Sequence, residues 1–163
     1  MLEQLLSAEK SLPSLLRNAD WQSLFINYEK LFVERLWIPW NEYGLNLHII
    51  HPCDEEESFF HPHPWASAMK IVNGIYEMKI GYGSGLVEPV TAITCWLNPN
   101  SYYEMTNIDS WHSVRPLGKP VMSVMLTGKP WNRKMPKNDK VKLSCLLDDR
   151  KSAILSMFKE IYY

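Results

Sequence analysis

The chain has 163 residues, 46% of them hydrophobic, and its seventeen basic and eighteen acidic side chains leave a formal net charge of -1. That supplies apolar material for one sizeable core and hence one domain, while the near-neutral balance excludes an electrostatic footprint for nucleic acid or an anionic membrane surface and leaves a small molecule as the expected partner. No run approaches the ~20 consecutive apolar residues of a membrane span, the opening segment lacks the basic start and compact apolar centre of a secretion signal, and a cytoplasmic location is the expectation.

From Leu2 to about Leu36 apolar residues recur at helical spacing (Leu2, Leu5 and Leu6, then Trp21, Leu24, Phe25, Tyr28, Leu31 and Phe32), with Ser11 and Pro13 between the two sets. The spacing predicts two helices and a helical segment over 1–44. Pro39 and the stretch from Asn41 to Gly44 end it, and Leu45 to His51 reads as the first strand, followed by an acidic loop from Asp54 to Glu57. Further strands are expected over Phe59 to His63, Ser67 to Val72, Ile75 to Tyr82, Val90 to Leu97, Ser101 to Asn107, Trp111 to Arg115 and Val121 to Thr127. Turn residues separate them at Asn73-Gly74, Gly81 to Gly85, Asn98 to Asn100 and Gly118 to Pro120. Such closely spaced short strands predict a barrel or sandwich over 45–128. Lys129 to Lys142 is a basic connector, and Ile154, Leu155, Phe158 and Ile161 mark a closing helix within 129–163.

Chemistry concentrates at His61-Pro62-His63. Side chains at i and i+2 of a strand point to the same face, so two imidazoles so placed bind one metal ion together. A third donor must come from elsewhere, and His112, which begins an apolar strand after the turn from Asn107 to Ser110, is the best candidate; His51 in place of His61 is the alternative. Neutral imidazoles suit iron, nickel, copper or zinc.

This arrangement resembles the cupin superfamily, whose first motif is H-x-H, three or four residues, usually Glu, six residues and Gly. His61, His63 and Gly74 fall on that spacing, while the Glu position holds Ser67, or Ala68 on the longer count. The second motif, a Pro-x-Gly turn, two residues, His, three residues and Asn, is matched by a turn and His112 without Pro-x-Gly or Asn. The resemblance covers about Leu45 to Thr127. It implies an all-β core, a cupin double-stranded β-helix or jelly-roll barrel with N-terminal helices and a C-terminal helix, and a possible homodimer. Loss of the carboxylate is similar to the three-histidine cupins, which include the thiol dioxygenases related to cysteine dioxygenase. The implied function is a metal-dependent oxidoreductase using O₂ at an iron(II) ion on His61, His63 and His112, with zinc, nickel or manganese as other metals. A site one negative charge short favours an anionic substrate. A non-catalytic small-molecule-binding cupin, and a zinc or nickel isomerase or hydrolase, are the alternatives.

Other polar side chains near these histidines are candidates for substrate contact or proton transfer. Tyr102, Tyr103 and Glu104 lie on one strand, and alternation alone does not say which points inward; Tyr103 and Glu104 are the catalytic candidates. Arg115 offers a fork of donors for a carboxylate, although three residues after His112 a regular strand turns it outward. Ser67, Tyr76 and Trp65 are candidates to line the substrate cavity. His48 and His51 are expected to be packed or surface residues. Cys53, Cys95 and Cys145 have no paired spacing and are expected as reduced thiols.

Overall fold

The computed structural model describes residues 1–28, 30–58, 60–84, 86–136 and 140–163. Helix α1 (Leu2–Asn18) forms because Leu5, Ala8, Leu12 and Leu16 share one stripe and are buried together. Pro13 lies inside this helix and does not end it. A proline removes one backbone bond, and the buried leucines on either side hold the turn in place.

The second expected helix is absent. Its residues form an antiparallel hairpin, β1 (Gln22–Tyr28) and β2 (Leu31–Trp40), paired from Gln22↔Trp37 to Tyr28↔Leu31. The apolar residues of this stretch match a period of 3.6 and a period of two about equally well. The β-branched and aromatic side chains Phe25, Ile26, Phe32, Val33, Trp37 and Ile38 decide it, because they pack on a pleated surface when a neighbouring sheet edge is available. Strand β3 (Tyr43–Ile50) supplies that edge and pairs along the whole of β2.

The expected strands follow as β4 (His61–Pro62), β5 (Trp65–Asn73), β6 (Tyr76–Tyr82), β7 (Ile93–Leu97), β8 (Tyr102–Met105), β9 (Ser110–Pro116) and β10 (Val121–Pro130). Phe59 and Gly85, within the expected first-motif strand and the expected turn, lie outside the described residues. The acidic stretch forms a single 3-10 turn, Glu55–Glu57. Part of the expected connector is a strand instead, β11 (Val141–Ser144), added to the outer edge of β1; residues 137–139 of that connector lie outside the described residues. Helix α2 (Asp148–Tyr162) closes the chain as expected. Neither helix is long and apolar enough to cross a membrane.

The pairing is that of one long hairpin rolled around an axis: β3 with β10, β4 with β9, β5 with β8 and β6 with β7. Rolling it gives two sheets, with β3, β10, β5 and β8 adjacent in one and β4, β9, β6 and β7 in the other. This is the eight-stranded jelly roll, enlarged by β2, β1 and β11 on the β3 edge. Gly74 makes the turn into β6 at φ +84, and a side chain there would meet the backbone oxygen of Pro120 and the side chain of Val121.

The larger sheet is covered on both faces. Leu36, Ile38, Leu47, Ile49, Val124 and Leu126 face outward onto the two helices in one apolar cluster with Leu12 and Phe158. Residues of the opposite parity, Ile50, Met69, Ile71, Val121 and Met125, face the smaller sheet and its Tyr76, Met78 and Val114 in a second cluster. The helices are tied down by polar contacts: Arg150 of α2 donates twice to Glu34, at 2.5 and 2.6 Å, and Glu9 of α1 pairs with Lys70 and accepts from the hydroxyls of Tyr102 and Tyr162.

Candidate metal centre

His61 and His112 are direct cross-strand partners on β4 and β9, and His112 is paired on its other side with Ile80 of β6. His63 follows β4 by one residue. The alternation His61 to His63 carries both rings to the face that His112 occupies: the His112 ring centroid lies 4.6 Å from each of the other two, which are 5.5 Å apart. One ring nitrogen from each histidine lies within 4.8 Å of the others. Two nitrogens on one ion at about 2.1 Å lie no more than about 4.2 Å apart, so small side-chain movements close the set on a single metal. No carboxylate or thiolate joins the cluster among the described residues.

The electrostatics favour ligands over cations. His63 is 8% exposed and His112 is 2% exposed. Burial, followed by the neighbouring His61 and Arg35 charges, holds His63 at about 3; burial and the neighbouring imidazoles hold His112 well below the usual histidine value. Both rings therefore stay neutral and keep a lone pair for a metal. The Nδ1 of His112 is buried with no hydrogen-bond partner among the described residues, and the Nδ1 of His63 lies 2.8 Å from the Ser67 hydroxyl. An all-nitrogen, uncharged donor set of this kind fits one divalent transition metal.

These depressed values set a direction for stability. Unfolded histidines take up protons near pH 6.5, and the folded chain refuses them at His48, His63 and His112. The metal-free protein is accordingly most stable above that pH and loses stability as pH falls toward the folded values, by up to about 1.4 kcal/mol per pH unit for each refused proton. Denaturant midpoints of metal-free protein between about pH 7.5 and 4.5 check this slope, and a level profile would contradict it.

The rings stand in the wall of a cavity of about 220 Å³ between the sheets. That volume is below the range for drug-sized ligands and suits a small molecule. Its walls are largely apolar, with Leu31, Val33, Ile50, Met69, Val114 and Met125 among them. Tyr103 lines it, with its ring 6.2 Å from that of His112, and accepts a hydrogen bond from Tyr76 at 2.8 Å. Burial pushes the Tyr103 phenol above its ordinary value, so it keeps its proton. Trp65 also lines the cavity, 6.3 Å from the His63 ring, with its Nε1 buried and without a partner among the described residues.

Other sequence candidates lie elsewhere. Tyr76 is fully buried behind Tyr103, and Ser67 sits behind His63; neither lines the cavity. Glu104 is displaced by parity: Met69↔Tyr103 turns Tyr103 inward, so Glu104 points to the helix side, where its carboxylate accepts the Leu2 N–H at 3.0 Å. Arg115, opposite in parity to His112, lies on the outer face and pairs with Glu77 at 3.3 Å. Neither Glu104 nor Arg115 lines this cavity.

Sequence reasoning missed the two basic side chains on the cavity wall away from the histidine cluster. Arg35 of β2 and His48 of β3 are direct cross-strand partners, and Arg35 donates its Nε–H to His48 Nε2 at 2.8 Å. No carboxylate among the described residues pairs with Arg35, and burial pulls its value down to about 10. Its guanidinium is thus a charge held at the cavity wall against solvation, with donors to spare. Strand alternation was the available signal: Leu31, Val33 and Arg35 share a parity, as do His48 and Ile50.

No family model matches the chain, and no curated protein matches it. Among solved structures, the iron(II) form of HppE aligns at a TM-score of 0.47 and 9% identity over 58% of this chain and 50% of that one. Hydroxypropylphosphonic acid epoxidase from S. wedmorenis aligns with the same values, and KdgF from Halomonas sp. at 0.47 and 12% identity over 68% of this chain and 88% of that one. This chain thus spans about half the length of the epoxidase. Values this low add nothing to the strand order, which by itself makes the protein a jelly-roll barrel with three histidines gathered on one inner wall.

Proposed function

We propose that this protein is a mononuclear metal-dependent oxidoreductase, similar to the thiol dioxygenases, that acts with O₂ on a small anionic substrate at iron(II) held by His61, His63 and His112. The observation that carries the reading is a pair of features in the wall of one small cavity: three clustered imidazoles, and the guanidinium of Arg35, which has no carboxylate partner among the described residues. Bound iron supplies the coordination and activation of O₂ and of a substrate donor atom. The chain's own residues do the rest. Arg35 binds the anionic end of the substrate through charge-assisted hydrogen bonds. The apolar walls exclude water and strengthen that attraction. Tyr103 holds a proton beside the imidazoles; its hydroxyl donates to the Met69 sulfur at 3.1 Å, a weak acceptor that a substrate oxygen can replace.

Oxygen uptake by the iron-loaded protein, measured against a panel of short thiols with and without a carboxylate, tests the proposal. Uptake stimulated by carboxylated thiols is the expected result. No stimulation by any thiol overturns the thiol-dioxygenase reading, and tightly held zinc without oxygen uptake redirects the site to isomerase or hydrolase chemistry.

A further inference from the structure

We infer that Ser67, at the position where the first cupin motif usually carries a ligating Glu, is the positioning residue of the metal centre: its Oγ accepts the Nδ1 proton of His63 and holds that ring with Nε2 toward His61 and His112. The inference rests on the three-histidine metal reading. Its geometric basis is a 2.8 Å contact between two buried groups, Ser67 being 2% exposed. Ser67 sits in the body of the larger sheet, paired with Thr127 of β10 on one side and Met105 of β8 on the other. Its Cα is therefore fixed by two ladders, and the four-residue reach from His63 to Ser67 carries that rigidity to a ring that follows a strand of only two residues.

The chemistry gives the contact a direction. A neutral imidazole has one N–H, and the nitrogen that binds a metal must be the one without it. For His63 to ligate through Nε2, the proton must be on Nδ1, where it can only be donated, and Ser67 must accept it. A hydroxyl performs this task without adding charge. A ligating carboxylate in the same slot would add a negative charge to the metal, and the serine leaves that charge for the substrate to bring. His112 has no such partner at its Nδ1 among the described residues, so of these two rings it is His63 whose tautomer the serine contact sets. Outer partners of ligating histidines orient the ring and raise its basicity, and their loss typically costs about 10–100-fold in metal affinity.

The test uses the purified full chain, cobalt(II) and zinc(II) as probes, and competition titration to read affinity. Ser67→Ala is expected to bind both metals about 10–100-fold more weakly than the unmodified chain, and Ser67→Thr, which keeps the hydroxyl, to restore most of the loss. A serine that only fills space predicts equal affinities for the unmodified chain and Ser67→Ala, and that result overturns the inference while leaving the metal reading intact. An unmodified chain that binds neither metal overturns both. A second measurement needs neither variant nor metal: nitrogen-15 spectra of the imidazoles at neutral pH should show His63 protonated at Nδ1, and a proton on Nε2 overturns the assignment.

Discussion

A chain carrying His112→Leu is expected to lose tight metal binding while its metal-free form remains at least as stable as the unmodified protein. Metal loss follows from position: His112 lies 4.6 Å, ring to ring, from both other histidines, which are farther from each other. Four-ligand zinc sites bind with about 10–16 kcal/mol, or about 2.5 to 4 kcal/mol per donor, so removing one of three donors should weaken binding by roughly 60- to 700-fold. Stability follows from the orphaned Nδ1. A buried polar atom with no partner costs about 1–3 kcal/mol, and a leucine of similar volume removes that cost while keeping the strand filled. Metal titration and denaturant melts of the two metal-free proteins check the pair of effects. A variant that keeps one tightly bound metal per chain would show that the centre lies elsewhere.

The opposed signs matter because they separate a site from a core. Residues selected for packing stabilise the fold when present; the polar groups of this cavity do the reverse. Among the described residues Arg35 is a desolvated cation without a carboxylate, His48 and His112 have buried unpartnered nitrogens, and Trp65 has an unpartnered indole N–H. Nothing in folding alone rewards such an arrangement. These four side chains gather in the wall of one largely apolar cavity, which is the pattern expected where stability is exchanged for binding.

Much of this was legible from the residues. Turn residues marked the barrel strands from β3 to β10, and the i, i+2 rule brought His61 and His63 to one face with no knowledge of the fold. His112 was found by its place at a strand start, and its pairing with His61 explains why that place works: the rolled hairpin lays β9 beside β4. Parity already placed Arg115 outward. Glu104 needed more, since alternation says only that it opposes Tyr103, and the inward choice comes from pairing with Met69 on a different strand. The β1–β2 hairpin was hidden because its apolar residues satisfy both periods, and the choice between them is made by the β3 edge. A helical reading of that segment gives Arg35 no face and leaves His48, its partner across β2 and β3, no reason to be anything but packed.

Arg35→Met should abolish the preference for anionic ligands with a small net change in fold stability, because removing the desolvated charge offsets the loss of the Nε–H that His48 accepts. Methionine keeps the length and apolar stem of the side chain and removes a charge whose burial already pulls its value down to about 10. Losing the buried partner of an anionic group costs about 2–5 kcal/mol, which corresponds to roughly a 30-fold to several-thousandfold fall in affinity or kcat/KM for a carboxylated ligand. A neutral ligand of the same shape should be almost unaffected. Arg35→Lys is the sharper comparison, because it keeps the charge but loses the Nε–H that His48 accepts and the planar fork that grips a carboxylate. It should fall between the two, with a larger loss for carboxylates than a point charge alone would explain. Binding or turnover for matched ligand pairs, carboxylate against hydroxyl, checks both variants. Equal losses for the two members of a pair would mean that Arg35 shapes the cavity wall and does not recognise charge. In that event the anion must be sought at the imidazoles, and the cavity's cation would be a structural strut between β2 and β3.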